Sequence, residues 1–194
     1  MSRLLRLFAG LILWVAVTPL ASALDAELNA LSVSNALGGQ EAYAILQNAD
    51  RATVQRVDSV LEASPSTSAP QRGDLVTLGE PFRVPAPQFE ELKKILTSSS
   101  TYVASPKTCQ FRANARYVFY RGKDSLAFIL CFGCGEMEVW RGDAFSSFGP
   151  FDAAYGDLLT VTQALFPKDE FLAAFSAKQF EERVKDMRSQ DKEK

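Results

Sequence analysis

The sequence predicts an α+β fold, a three- to four-stranded antiparallel meander packed against several helices. Three observations predict it. Phe111–Tyr120, Ser125–Phe132 and Glu136–Arg141 are strand-like runs separated only by Arg121-Gly122-Lys123-Asp124 and Gly133-Cys134-Gly135, breaks that carry the glycines tight hairpins require. The middle run is apolar from Leu126 to Phe132 without alternation, the pattern of a strand covered on both faces. On either side of the meander, apolar residues recur at helical spacing, as in Phe89, Leu92, Ile95 and Leu96.

Residues 1–23 read as a secretory signal peptide. Arg3 and Arg6 form a positive start, Leu4 to Val17 is almost unbroken apolar sequence, and Ala21-Ser22-Ala23 is a small-residue cleavage site. The apolar run falls short of the ~20 residues that span a bilayer, Pro19 closes it, and no cysteine stands at the cleavage point to take a lipid. The expectation is cleavage before Leu24, export to the periplasm or beyond, and no membrane span in the mature chain. Cleavage removes two arginines and no acid, so 19 basic residues face 23 acidic ones and the charge becomes −4. Such a chain lacks the concentrated basic patch of a nucleic-acid binder, which argues against that class of partner. The 171 residues that remain suffice for one core, since ~150 residues already bury about 68–70% of the unfolded surface. Residues 24–180 are read as that single domain.

Within it, Leu24, Leu28 and Leu31 form one stripe of a helix over 25–37 that Gly38-Gly39 closes. A short helix over 40–48 follows, then a strand over Arg51–Val57. Residues 61–74, rich in Ser, Pro and Thr, make an exposed loop. Asp74–Leu78 and Phe82–Val84 are extended pieces around a turn at Gly79-Glu80-Pro81. Pro85 to Pro87 open a helix in whose first turn proline is tolerated, and Ser98 to Thr101 end it. In the meander, pairing Tyr120 with Ser125 sets Tyr117 opposite Phe128, and pairing Phe132 with Glu136 sets Phe128 opposite Trp140. Tyr117, Phe119, Phe128 and Trp140 then share one face as core. Asp152 is a suitable N-cap for a helix carrying Tyr155, Leu158, Leu159, Thr162, Leu165 and Phe166, which Pro167 ends. A last helix begins near Lys168, carries Phe171, Leu172, Phe175, Phe180, Val184 and Met187, and runs into a charged C-terminal tail over 181–194.

The chain contains no histidine. That removes the commonest general base and metal ligand, and with them Ser-His-Asp, Cys-His and His-zinc chemistry. There is no G-x-S-x-G, no phosphate-cradling glycine loop and no dinucleotide fingerprint. Glu90-Glu91 and Glu181-Glu182 are adjacent on helices and do not face each other as a glycosidase pair would. No catalytic, cofactor-binding or metal-ligating residue is assigned, and no cofactor is expected.

The three cysteines, Cys109, Cys131 and Cys134, are the one constellation with chemistry in it. Cys131-Phe132-Gly133-Cys134 matches C-x-x-C, but it ends a strand and turns into another strand, whereas a redox pair sits at a helix N-terminus whose dipole lowers the thiol pKa. A zinc site would need Glu136, Asp143 or a water as fourth ligand. In an oxidising compartment a structural disulfide is the simplest reading. Extending the hairpin register makes Cys134 the diagonal neighbour of Cys109 and leaves Cys131 a buried thiol; Cys109–Cys131 is the runner-up, should a bulge shift the register. The function expected is a non-enzymatic exported domain that binds a protein or envelope component. The alternative is cysteine-dependent metal binding or thiol–disulfide exchange.

Cys109-Gln110-Phe111, Tyr117 through Lys123, Leu130-Cys131-Phe132-Gly133-Cys134, Phe148 through Asp152 and Leu165-Phe166-Pro167 together resemble a set of small exported bacterial proteins of uncharacterised function that share a C…R-x-G-K…L-C-F-x-C hairpin. The resemblance covers roughly residues 49–167, most of the mature domain. It implies that the three cysteines belong to a recurring arrangement, and it brings no reaction, ligand or partner with it.

Overall fold

The computed structural model describes residues 23–59, 75–103 and 110–190. The segment expected to be a signal peptide, up to residue 22, the loop expected over 61–74 and Cys109 therefore lie outside the described residues.

Helix α1 (23–36) ends where expected, with Gly38 and Gly39 at φ 86° and 135°. Helix α2 (Gln40–Gln47) leads into β1 (Arg51–Ser59), and β2 (Leu75–Thr77) and β3 (Phe82–Arg83) both return onto β1. Helix α3 (Ala86–Leu96), capped by Pro85, and a 3-10 turn over Ser99–Tyr102 come next. Then come β4 (Ala115–Arg121), β5 (Asp124–Cys131), β6 (Glu136–Arg141) and β7 (Ala144–Pro150). Helices α4 (Tyr155–Leu165), α5 (Glu170–Ala173) and α6 (Ala177–Gln190) complete the described chain.

The α+β class is as read, but the sheet is larger than three or four strands. Seven strands form one antiparallel sheet in the order β2-β1-β4-β5-β6-β7, with β3 also on β1. Two kinds of signal were insufficient. The pairing of β1 with β4, Val54 opposite Tyr117, spans some sixty residues and leaves no local trace. The alternation of β7 is broken by Ser146-Ser147, and a bulge lies opposite, between Val139 and Trp140.

The first hairpin has the expected register, with Tyr120 opposite Ser125 and Tyr117 opposite Phe128. The second slips by one residue. Cys131, not Phe132, pairs with Glu136, so Phe128 faces Val139 and Ala127 faces Trp140. Because side chains alternate, that slip sends Trp140 to the opposite face. Tyr117, Phe119 and Phe128 stay in the main core beneath the helices, while Trp140 joins Val57, Ala113, Val118, Ala127 and Ile129 in a smaller cluster on the other side. The central strand β5 is buried on both faces from Leu126 to Cys131.

Further differences concern the helices. Strand β4 begins at Ala115 rather than Phe111. Asp152 opens a 3-10 turn, and no side chain caps α4. The expected last helix is two: Asp169 caps α5 by accepting from the Leu172 amide at 2.8 Å, and the chain bends at Ala174 to Ser176 before α6. Residues expected to begin a charged tail at 181 continue α6 to Gln190, and Val184 packs into the core.

Candidate functional site

The C-x-x-C turn is built by hydrogen bonds that leave its backbone no freedom. Strand β5 ends at Cys131, whose carbonyl accepts from the amides of Cys134 and Gly135 at 3.3 and 2.8 Å. Gly135 sits at φ 67°, the left-handed region that favours glycine, and its carbonyl receives the Phe151 amide at 2.8 Å. From the other side Asn114, itself buried, accepts the Phe132 amide on its side-chain oxygen at 2.6 Å and gives its own amide to Leu130 at 2.7 Å.

The two cysteines of the turn have different surroundings. Cys131 is a free thiol, fully buried, and its sulfur accepts the Arg112 amide at 3.3 Å. Burial pushes its pKa up, with the Arg112 and Cys134 amides opposing and Glu136 reinforcing. The thiolate is the reactive form of cysteine, so this position is chemically quiet. Cys134 is also buried, at 3% exposed. Its sulfur lies 3.2 Å from the carbonyl oxygen of Gln110, the residue that follows Cys109 in the chain. Cys131 and Cys134 are thus not a bonded pair.

The segment 110–114 that covers both sulfurs is anchored by charge. Arg112 makes a bidentate pair with Asp58, both contacts at 2.8 Å, and this holds the Asp58 carboxyl below its usual range. Arg56, only 6% exposed, pairs with Asp169 at 2.7 Å and donates to the carbonyls of Val57 and Asn114. The exposed Phe171 ring lies 5.0 Å from the Arg56 guanidinium and 5.5 Å from that of Arg112. Among the described residues, no group of three or more Cys, Asp or Glu is placed to hold a metal ion.

On the helix side, Phe132 packs edge-on against Phe151 and Tyr155, each at 5.8 Å between ring centroids, and Tyr155 stacks flat on Phe180 at 3.8 Å. Beyond this stack opens a cleft of about 440 Å³ between α4 and the bend into α6, with Tyr155, Phe175, Gln179, Glu182, Arg183 and Asp186 on its walls. A second cleft, about 360 Å³, lies where the two glycine turns at Gly122 and Gly142 meet α2. Four of the five charged side chains on its walls pair within the protein, Arg121 with Asp124 at 3.0 Å and Arg141 with Glu41; the fifth is Lys123.

Reading the sequence alone found the cysteine turn but missed the cleft residues. Gln179, Glu182, Arg183 and Asp186 follow i, i+3, i+4, i+7 spacing, the last three of them within the stretch expected as a charged tail. The spacing was the available signal. What it could not supply was the bend after α5 that folds this face over Tyr155.

The fold and site define an α+β domain with a one-sheet core and a cysteine-bearing hairpin. No helix among the described residues is long and apolar enough to cross a membrane. Comparison with protein-family models, with curated proteins and with solved structures finds no match.

Proposed function

We propose that the protein is an exported, non-enzymatic binding domain for a protein or envelope component, with Cys109–Cys134 as a structural disulfide. The observation that carries this reading is the asymmetry of the C-x-x-C turn. Cys131 is sealed, free and pushed toward the thiol form, while the sulfur of Cys134 lies 3.2 Å from the carbonyl of Gln110, the residue next to Cys109. A redox pair would need an exposed, activated thiolate. The signal-like first 23 residues and the acidic mature charge support export and argue against nucleic acid.

Thiol counting on protein purified from the exported fraction tests the proposal. Alkylation in denaturant without reductant should tag one cysteine, and after reduction three; the intact mass should correspond to a chain beginning at Leu24. Three tags without reductant, or a stoichiometric metal in the purified protein, would favour the cysteine-dependent alternative instead.

A further inference from the structure

We propose that the cleft between α4 and α6 is a ligand site for a small zwitterion, an ammonium and a carboxylate carried on an apolar body, as in an apolar α-amino acid or short peptide. The inference rests on the binding-domain reading but on separate observations.

The first is an unmade hydrogen bond. Tyr155 is only 2% exposed and lines the cleft, yet among the described residues its hydroxyl has no hydrogen-bond partner, and its oxygen is not one of the atoms sealed from solvent without a partner. A hydroxyl open at the edge of an otherwise buried ring is a donor that a ligand in the cleft can take up in place of water. Burial raises its pKa to about 12, with nearby Arg183 opposing, so at neutral pH it is an O–H donor.

The second observation is a matched pair of unpaired charges. Arg183 makes no ion pair among the described residues; its guanidinium lies 5.5 Å from the centre of the Phe180 ring, beside the tyrosine. Asp186 lies one helical turn further on and likewise has no cation within ion-pair distance among the described residues, and the two do not pair with each other. Residues three apart on a helix have their side chains roughly 5–6 Å apart at the base. Glu182 is already engaged by Lys178 at 3.9 Å. A simple anion would meet repulsion from Asp186 and Glu182, and a simple cation repulsion from Arg183. A ligand with both charges satisfies Arg183 and Tyr155 with its carboxylate and Asp186 with its ammonium.

The third is the apolar wall. The Phe175 ring lines the same cleft and packs on Phe132, which is anchored in the core. It offers a fixed aromatic surface for the ligand's side chain, the usual composition of a small-molecule site: apolar walls with a few convergent polar groups.

The test titrates the full mature protein with L-phenylalanine, the dipeptide Ala-Phe, N-acetyl-phenylalanine and phenylalanine amide, followed by calorimetry and by NMR shifts of the Tyr155 ring and Arg183 side chain. One or both zwitterions should saturate, and the two blocked compounds should bind at least about tenfold more weakly, because each loses one charged contact. Preference between the amino acid and the dipeptide identifies the source of the ligand. Arg183→Gln and Asp186→Asn, both at exposed positions, should weaken binding by about tenfold; Tyr155→Phe, which loses no internal hydrogen bond, should weaken it roughly two- to tenfold with unchanged thermal stability. Absence of shifts at Tyr155 and Arg183 with every compound, or equal binding of the blocked forms, would overturn the site. If thiol counting gives one and three tags, that failure leaves the structural-disulfide reading standing. Saturable binding with recovery of a chemically altered probe would keep the site and overturn the non-enzymatic reading.

Discussion

Gly135→Ala is the sharpest probe of how the cysteine turn is held. Two separate costs apply. At φ 67° an L-residue costs roughly 1–2 kcal/mol relative to glycine. A methyl there would also stand 2.5 Å from Phe180 Cζ and 2.7 Å from Asp152 Oδ1, distances real side chains do not adopt. The Phe180 ring cannot step aside freely, because it is stacked on Tyr155 at 3.8 Å, so the overpacking cost of about 1–3 kcal/mol applies. The total expected is about 2–5 kcal/mol. Gly133→Ala, two residues away, is the internal control: its φ is not positive and its Cβ would meet only the Cys131 sulfur at 3.8 Å, an ordinary contact, so it should cost under about 0.5 kcal/mol. Thermal and urea unfolding followed by circular dichroism should separate the two variants by roughly 4–20 °C, at about 2–4 °C per kcal/mol for a chain of this size. A double-mutant cycle with Phe180→Leu isolates the steric part; it should show favourable coupling of about 1 kcal/mol or more, since the smaller side chain relieves the clash. Equal stabilities for the two glycine variants, or zero coupling to Phe180, would refute the claim that this turn is clamped by α6.

Three further outcomes are expected. Reduction of the proposed Cys109–Cys134 bridge, which closes a loop of 25 residues by sequence position, should lower stability by roughly 3 kcal/mol, read as a drop in melting temperature, while Cys131→Ala should leave the reductant response intact. Asp169→Asn, which keeps an oxygen for the Leu172 amide but removes the charge facing the nearly buried Arg56, should destabilise by about 2–3 kcal/mol in urea unfolding, more than Asp50→Asn, whose partner Arg51 is exposed. Burial disfavours the phenolate forms of Tyr102, Tyr117 and Tyr155, so their folded pKa values lie above the unfolded value near 10. Their contribution to stability is therefore complete below about pH 10 and lost as pH rises beyond it, and tyrosinate absorbance from these three should rise only above that pH, alongside loss of structure; their ionisation below it in folded protein would contradict the burial.

Local patterns were legible and long-range ones were not. Gly38-Gly39 stopped α1, Pro85 opened α3, and the Arg121-Gly122-Lys123-Asp124 turn fixed the first hairpin's register, because in each case residues adjacent in sequence determine the backbone. The second hairpin slipped because its loop holds four residues, Phe132 to Gly135, closed by an amide reaching back from Gly135 to Cys131, where three had been counted. Strand β7 carries a signal in the turn before it. Arg141-Gly142-Asp143 repeats the Arg121-Gly122-Lys123 turn, and both glycines adopt φ 58° as the first residue of a two-residue hairpin loop. The cysteine turn of the candidate site was visible as a motif. The cleft was not, since Tyr155 and Arg183 are brought together only by the bend between α5 and α6.

These elements explain why the cysteine turn and the cleft share one end of the molecule. The turn at 132–135 projects Phe132 toward the helices, where it meets Phe151, Tyr155 and Phe175, while Gly135 admits Phe180 at its back. Two walls of the cleft, Tyr155 and Phe175, thus rest on a turn fixed by Asn114 and covered by the 110–114 segment. A bridge from Cys134 to Cys109 would fasten that segment covalently, and Arg112 and Arg56 fasten it by charge to Asp58 on β1 and, through Asn114, to Asp169 before α5. Reduction should therefore loosen the cleft before it unfolds the sheet, because β5 is held by β4 and β6 along its length while α6 reaches the core through Phe180 and Val184. Hydrogen exchange on reduced protein should show α5, α6 and residues 110–114 opening at lower free energy than β4 and β5; uniform loss of protection would mean that the staple serves the whole core and not this end of it.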